Sequence, residues 1–165
     1  MLTPAPATEL DDELLSLVSW LIPNEQEASM ETHLPLRTDA EGPLKSDLRN
    51  IAAKLWDKGV EHIVITLGGH GAVVVKADGL TYIPCVSMRH VADPTAAGDS
   101  FVGALAVGVT LGLSHAQALE FAAYTAALTV SRMGAMPSLP TLEEVLTLMR
   151  ERGCQAPARL DVLKA

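Results

Sequence analysis

The segment HVADPTAAGDSF, residues 90–101, carries the residue types best suited to chemistry in this chain. A loop of small side chains leads directly into a predicted helix, and residues 96–98 leave the backbone N–H groups at the helix start uncovered. Such a helix start binds anions, because unpaired amides and the helix dipole both favour negative charge there. Asp99 could then accept the proton of a substrate hydroxyl during phosphoryl transfer. From the local residues alone, a second interpretation is equally favoured, namely that Asp99 or Ser100 serves only as the cap of the helix.

A second candidate is the glycine-rich segment TLGGHG, residues 66–71. Its glycines would allow the backbone to approach a ligand closely, and Thr66 supplies a hydroxyl. Taken alone, the segment is better interpreted as a structural turn between two strands. It is neither a GxGxxG dinucleotide fingerprint nor a P-loop, since no GK[ST] follows and no helix opens there. A dinucleotide-dependent dehydrogenase and a P-loop kinase are both disfavoured.

The third candidate is PNEQE, residues 23–27, which follows a short apolar run. Charged turns of this kind are usually solvated surface. Glu27 could still hold Mg²⁺ through a water molecule, because Mg²⁺ keeps several of its waters when bound to protein. His33, His62 and His70 show no metal-ligand spacing, so we interpret them as solvated or hydrogen-bonded side chains.

The elements that must position these segments alternate between helix and strand. Five helices are predicted, from Thr8 to about residue 18 and over 46–58, 100–113, 114–133 and 141–152. Thr8, Ser100 and Ser114 are the predicted caps of the first, third and fourth helices. The fifth opens with a Thr141/Glu144 capping box. Strands are predicted over 18–22, on both sides of the glycine turn within 62–75, and over 80–86, with a loop over 31–43. This order predicts a layered α/β sheet, in which ligands bind beyond the carboxyl ends of strands.

Composition narrows the classes of partner. The chain has 165 residues, of which 48% are hydrophobic, and a formal net charge of −8. A nucleic-acid backbone or an anionic membrane is therefore an unexpected partner, and a small molecule is favoured. Cys85 and Cys154 lack disulfide-framework or zinc spacing, and no window resembles a membrane span or a signal peptide. We expect a soluble, cytoplasmic protein with reduced thiols.

In this order, the three segments resemble the second half of the ribokinase-like (PfkB-type) carbohydrate kinases. The resemblance runs from the PAPA opening through PNEQEA, VITLGGHGAVVV and DPTAAGDSFVGALA to RMGAMPSLP, covering residues 3–150. It implies a three-layer, Rossmann-like α/β fold. It also implies ATP-dependent phosphorylation of the primary hydroxyl of a ribose-like sugar, with Mg²⁺ and a K⁺-like monovalent cation.

The resemblance assigns roles to the matching residues. Asp99 would be the catalytic base, within an anion hole formed by Ala96, Ala97, Gly98 and Asp99. The nucleotide-binding residues would be Asn24, Glu27, Thr66, Leu67, Gly68, Gly69, His70, Gly71, Gly98 and Ala123, with Ala123 facing the adenine and Glu27 also serving Mg²⁺ through water. The monovalent cation would be held mainly by main-chain oxygens at Asp93, Thr95, Thr129, Arg132, Gly134 and Ser138. Pro94 stands where the family often has a hydroxyl residue.

The resemblance leaves about half of a family member unmatched, namely the half that selects the sugar and carries the dimerising lid. We therefore interpret residues 1–165 as the C-terminal, nucleotide-binding and catalytic-base part of such a domain, with a loose tail over 153–165. Apolar surface exposed on such a part predicts self-association or a complementing N-terminal chain. The alternative function is a non-catalytic nucleotide-binding module without a sugar site.

Overall fold

A mixed four-stranded sheet organises the first of two units in the computed structural model, which describes residues 1–40 and 42–164. The units are Met1–Pro84 and Cys85–Ala165. The first contains α1 (Asp12–Ser16), β1 (Trp20–Leu21), α2 (Glu25–Thr32), β2 (Thr38–Asp39), β3 (Gly42–Pro43), α3 (Lys45–Asp57), β4 (His62–Thr66), β5 (Ala72–Lys76) and β6 (Gly79–Ile83). The strand order is β1-β4-β5-β6, with β1 parallel to β4 and the other pairs antiparallel. The predicted α/β class is confirmed.

The core of this unit lies between the sheet and its helices. Strands β4 and β5 read as continuous apolar runs and are buried along most of their length, as expected for strands covered on both faces. Helix α3 contributes Leu48, Ile51, Ala52 and Leu55, whose spacing places them on one face, and each is fully buried. Gly59 follows α3 with a φ of +96°, which agrees with its predicted role as the end of that helix.

Several boundaries in this unit differ from the sequence predictions. Thr8 does not cap a helix, because α1 begins only after Asp11. The strand predicted over 18–22 is reduced to Trp20–Leu21. The predicted loop over 31–43 contains the end of α2 and the small β2–β3 hairpin, although Glu41 lies outside the described residues. The last strand ends at Ile83 rather than at residue 86.

Helices dominate the second unit, which contains α4 (Ala97–Thr110), α5 (His115–Val130) and α6 (Leu142–Glu151). Helices α4 and α5 pack closely, since a Cβ added to Gly108 would lie 2.8 Å from the Ala118 Cβ. The predicted caps of α5 and α6 are confirmed: Ser114 pairs with Gln117, and Thr141 pairs with Glu144, each as a capping box. No helix in the described part of the chain has the length and apolar character needed to cross a membrane.

Two predictions for this unit are wrong. Ser100 is not a cap, because α4 begins one turn earlier and the Ser100 hydroxyl donates to the Ala97 carbonyl inside the helix. The tail is not loose over its described residues, because Ala158–Lys164 forms a 3₁₀ helix in which Leu160 is fully buried. Arg159 also donates to the Leu111 carbonyl at the end of α4. Ala165 lies outside the described residues.

Candidate active site

The first turn of α4 is the centre of the candidate site in the second unit. Its N-cap residue, Ala96, has a φ of +62°, a left-handed conformation that is uncommon for any residue with a side chain, and makes no capping bond within the described residues. The N–H groups of Ala96, Gly98 and Asp99 have no acceptor among the described residues, whereas the Ala97 N–H donates to the Pro94 carbonyl at 3.2 Å. Most of the predicted anion hole is therefore open to a ligand.

Asp99 is the third residue of α4, and its side chain is exposed. Its carboxylate makes no hydrogen bond or ion pair with any residue that the structure describes. The interpretation of Asp99 as only a helix cap is thus wrong, because the cap position belongs to Ala96. A carboxylate without an internal partner keeps both oxygens available to accept a proton from a bound hydroxyl.

Asp93 joins two loops beside this helix start. Its Oδ1 accepts from the Thr95 N–H at 2.9 Å, and its Oδ2 accepts from the Gly134 N–H at 3.0 Å. Hydrogen bonding to Thr95, and secondarily to Gly134, lowers the pKa of Asp93 below its ordinary value. The N–H groups of Ala92 and Asp93 also bind the Val130 carbonyl at the end of α5. The loop before α4 is therefore held against the loop after α5.

The remaining residues of the predicted cation set have partners of their own. The Thr129 hydroxyl is fully buried and donates to the Ser100 hydroxyl at 3.0 Å. Arg132 forms a two-pronged ion pair with Glu144, and Ser138 donates to the Ala135 carbonyl. The structure thus joins Asp93 to Thr95 and Gly134 by hydrogen bonds, and separately joins Arg132 to Thr129, whose carbonyl accepts from the Arg132 N–H at 3.2 Å. Among the described residues, Ser138 has no hydrogen bond to the other members of the set. Within the same described part, no cluster of three or more His, Cys, Asp or Glu side chains could hold a metal ion.

Two partners of this site were not predicted from the sequence as functional residues. Glu144 binds Arg132 with contacts of 2.6 and 3.3 Å while it also accepts from the Thr141 N–H. Arg132, and after it the Thr141 N–H, lowers the pKa of Glu144 to about 2. The capping-box motif indicated the position of Glu144 but not its ion pair. Ser100 was interpreted only as a cap, and no sequence signal pointed to its contact with Thr129.

In the first unit, the two remaining predicted segments lie side by side at the carboxyl ends of β1 and β4. Asn24 and Thr66 form an isolated parallel bridge, and the Thr66 N–H donates to the Pro23 carbonyl at 2.9 Å. The Thr66 hydroxyl also lies 3.5 Å from that carbonyl. These two polar segments therefore meet at the edge of the sheet where ligands bind in α/β folds.

The glycine-rich segment forms a 3₁₀ turn over Gly68–His70. Gly68 and Gly71 have φ values of +52° and +90°, so the turn needs glycine at these positions. The N–H groups of Gly68 and Gly69 have no acceptor among the described residues, and a Cβ added to either would meet no described atom within 4 Å. Leu67 is buried and His70 is exposed. The turn therefore offers open amides with space above them, which suits a phosphate group.

Asn24 and Glu27 form a capping box rather than a simple turn, so the PNEQE segment begins α2. The Asn24 Oδ1 accepts from the N–H groups of Gln26 and Glu27, and the Glu27 Oε2 accepts from the Asn24 N–H at 2.8 Å. The second Glu27 oxygen has no hydrogen bond to a described residue, and the Glu27 residue as a whole is 7% exposed. That oxygen and the Asn24 amide group remain available to a ligand. Ala123 lies on α5 and is partly exposed.

Comparison with known proteins identifies the family. The sequence profile of pfkB family carbohydrate kinases matches residues 1–142. The chain belongs to the pfkB family of carbohydrate kinases. The ribokinase of Schizosaccharomyces pombe is 38% identical over 149 residues, which cover 88% of this chain and 45% of that protein. A bifunctional ribokinase/ribose-5-phosphate isomerase A of Fructilactobacillus sanfranciscensis is 36% identical over 152 residues, 92% of this chain and 27% of its own length.

Solved structures confirm the pfkB-family fold. Arabidopsis thaliana ribokinase complexed with ribose and ATP matches with a TM-score of 0.80 and 33% identity, over 87% of this chain and 45% of that chain. Thermotoga maritima ribokinase matches with a TM-score of 0.77 and 30% identity, over 90% and 48%. The chain therefore spans less than half the length of these ribokinases, and the resemblance proposed from the sequence is confirmed over that part.

Proposed function

We propose that this chain supplies the phosphate-binding and base-carrying part of an enzyme that phosphorylates the primary hydroxyl of a ribose-like sugar with ATP. One observation carries the proposal: an unpartnered carboxylate, Asp99, stands in the first turn of a helix whose leading N–H groups are open. An anion site and a proton acceptor are thereby combined in one helix turn. Proteins similar to this chain are named ribokinases, which supports the same reaction.

The chemistry follows from these groups. The Asp99 carboxylate accepts the proton of the sugar hydroxyl as its oxygen attacks the terminal phosphorus of ATP and the bond to ADP breaks. The N–H groups of Ala96, Gly98 and Asp99 donate to the phosphoryl oxygens, whose charge rises during transfer. Because these amides are already aligned by the helix, they need little rearrangement during the reaction.

Each unit is also proposed to carry nucleotide contacts of its own, in the first unit from Asn24, Glu27, Gly68 and Gly69, and in the second unit from Ala123. The N–H groups of Gly68 and Gly69 would donate to the nucleotide phosphates, and Asn24 would donate through its side-chain amide. The free Glu27 oxygen fits a water-mediated contact to Mg²⁺, which when bound neutralises phosphate charge. The adenine would lie against Ala123, whose small side chain is partly exposed.

A K⁺-like ion is proposed beside the anion hole. Asp93, Thr95 and Gly134 would hold it together with oxygens from Thr129, Arg132 and Ser138. The support is the Asp93 carboxylate, which ties the loop before α4 to the loop after α5. We place the reaction in the cytoplasm, in keeping with ATP as the donor and with two free thiols, Cys85 and Cys154.

The test is ADP release in the presence of Mg²⁺, K⁺ and ATP, with D-ribose, 2-deoxyribose and hexoses offered in turn. We expect release that depends on a pentose. Replacing Asp99 by Asn should lower kcat by about 10²- to 10⁴-fold while binding of a non-hydrolysable ATP analogue is retained. Asp78→Asn, at an exposed aspartate between β5 and β6, is the control and should leave both readouts unchanged.

The result also separates the two candidate functions. Analogue binding without sugar-dependent ADP release would identify a nucleotide-binding module. Unchanged kcat in the Asp99→Asn variant would remove Asp99 from its role as the base.

A further inference from the structure

The first turn of α4 lacks the support that most helix starts have. An N-cap side chain usually accepts from the leading amides and so fixes the first turn. Ala96 has no such side chain, and its φ of +62° is strained. Three of the leading amides are left open, which suits ligand binding but leaves the turn without a cap on that side.

The support comes from the buried side of the helix instead. The Ser100 hydroxyl donates to the Ala97 carbonyl at 2.9 Å and accepts from the Thr129 hydroxyl at 3.0 Å. Thr129 lies in the last turn of α5 and is fully buried, and Ser100 is 7% exposed. This hydroxyl pair therefore ties the first turn of α4 to the last turn of α5, away from solvent competition.

We infer that the Thr129 hydroxyl is a positioning group for the active site: through Ser100 it holds the first turn of α4, and so Asp99 and the open amides, in the orientation needed for phosphoryl transfer. The inference rests on the proposed function for its catalytic meaning. The mechanical part, that Thr129 stabilises the first turn of α4, stands on geometry alone.

Thr125 provides a matched comparison on the same helix. Its hydroxyl is also buried and donates to the Phe121 carbonyl one turn earlier at 2.9 Å, so it binds only its own helix. The Thr129 hydroxyl lies 3.0 Å from the Thr125 carbonyl and also 3.0 Å from the Ser100 hydroxyl, so its single proton is shared between an acceptor on its own helix and one on α4. Any effect seen at Thr129 but not at Thr125 therefore reports the link between the two helices.

The experiment combines amide hydrogen exchange with nucleotide binding in four variants of the whole chain. Thr129→Val removes the hydroxyl but keeps the shape, Thr129→Ser keeps the hydroxyl, Ser100→Ala removes the other partner, and Thr125→Val is the control. Exchange is followed at the Ser100 N–H, which donates to the Ala96 carbonyl in the first turn. Binding of Mg²⁺ with a non-hydrolysable ATP analogue is measured by calorimetry.

We expect Thr129→Val and Ser100→Ala each to speed exchange at the Ser100 N–H by about fivefold and to weaken analogue binding by a similar factor. Thr129→Ser should restore both, and Thr125→Val should change neither. Unaltered exchange in both Thr129→Val and Ser100→Ala would overturn the inference, whether or not the nucleotide binds. So would equal effects in Thr125→Val.

The same measurements can refute the proposed function independently of this inference. If the unmodified chain binds no analogue while exchange still responds only to Thr129 and Ser100, the nucleotide site is refuted and the positioning contact is upheld. If the analogue binds equally well to all four variants although exchange is faster in two, the link does not orient the site and the inference is overturned.

Discussion

Asp99 lies in the first turn of α4, a position where the helix dipole favours a carboxylate in general, and no cation among the described residues pairs with it. A Lys or Arg partner would occupy the carboxylate oxygens that accept a proton in the proposed reaction. The dipole leaves both oxygens exposed. The same helix start presents its amides to a second anion, so one turn can serve the base and the phosphoryl group together.

A substitution at Gly98 can distinguish a structural role of the residue from a role in ligand binding. No described atom lies within 4 Å of the position that a Cβ would occupy there, and its φ is not in the left-handed region. Replacing Gly98 by Ala should therefore keep or raise stability, by up to about 1 kcal/mol, because alanine loses less backbone entropy in a helix. The added methyl group would stand beside the open amides and should weaken binding of an ATP analogue. Thermal unfolding and calorimetry measure the two effects.

Gly103→Ala is the control, since Gly103 lies later in α4 and also has open space at its Cβ position. It should share the stability change and leave nucleotide binding unaltered. Equal binding by Gly98→Ala and the unmodified chain would show that no ligand approaches this turn.

The caps of α5 and α6 were predictable because their signal is local. Ser114 with Gln117, and Thr141 with Glu144, stand at the capping-box spacing just before apolar runs, and each forms that box. The start of α4 was not predictable in the same way, because Ser100 has the residue type of a cap while Ala96 adopts a conformation that alanine seldom takes. Local propensity therefore misplaced this boundary by one turn.

Features that depend on distant contacts were missed for a different reason. The order of the tail depends on burial of Leu160 and on Arg159 meeting the Leu111 carbonyl, which no local pattern encodes. The ion pair of Arg132 with Glu144 joins residues in a loop and a helix. The three candidate segments themselves were found because glycines and polar residues stood after strands or before a helix.

The packing of α4 on α5 predicts that alanine substitution changes stability in opposite directions at two glycines of α4. A Cβ on Gly108 would lie 2.8 Å from the Ala118 Cβ and 3.1 Å from its Cα, so Gly108→Ala should destabilise the protein by about 1–3 kcal/mol. Gly103→Ala has no such neighbour and should be neutral or stabilising. Denaturant unfolding of both variants is the measurement, and a stabilising Gly108→Ala would contradict the close approach of the helices.

The ion pair between Arg132 and Glu144 should make stability depend on acid pH. Glu144 has its pKa lowered from 4.5 to about 2 in the folded protein, so its contribution is fully present above 4.5 and is lost as the pH falls through about 2. Glu144→Gln keeps a capping residue type but removes the charge. Its thermal midpoint should lie below that of the unmodified protein at pH 7, and the difference should shrink below pH 4.5.

The neighbouring Glu143 supplies the control. It is exposed on the same helix and makes no hydrogen bond or ion pair with a residue in the described ranges. Glu143→Gln should leave the midpoint nearly unchanged from pH 7 downward. A pH-independent difference for Glu144→Gln would mean that the ion pair contributes nothing to folding.

Taken across the molecule, the charge distribution does not attract anions at long range. The net charge is −8, and none of the three candidate segments, 23–27, 66–71 and 93–99, contains a Lys or Arg. Attraction for phosphate must therefore come from backbone amides at short range, against a field that repels anions at long range. The fold class and these segments followed from the sequence, whereas sugar selection did not, because the chain spans only about half the length of the related ribokinases.

This balance predicts how nucleotide binding responds to ions. Raising NaCl from about 50 to about 200 mM should leave the affinity for an ATP analogue unchanged or raise it. Salt screens the repulsion between the acidic protein and the nucleotide, and it has few attractive Lys or Arg contacts to weaken. Removing Mg²⁺ should abolish binding, since the free nucleotide carries more negative charge. Calorimetry across salt concentrations tests this, and a steep loss of affinity with salt would instead indicate a site built from Lys and Arg.

The carboxylate of Asp93 couples two loops, and this predicts that ligand binding at one loop affects binding at the other. Because it holds Thr95 in one loop and Gly134 in another, a ligand that orders either loop lowers the entropic cost of ordering its neighbour. A phosphate before α4 and a cation after α5 would then bind cooperatively. Thermodynamic reciprocity requires that the cation strengthen phosphate binding by the same factor as the phosphate strengthens cation binding.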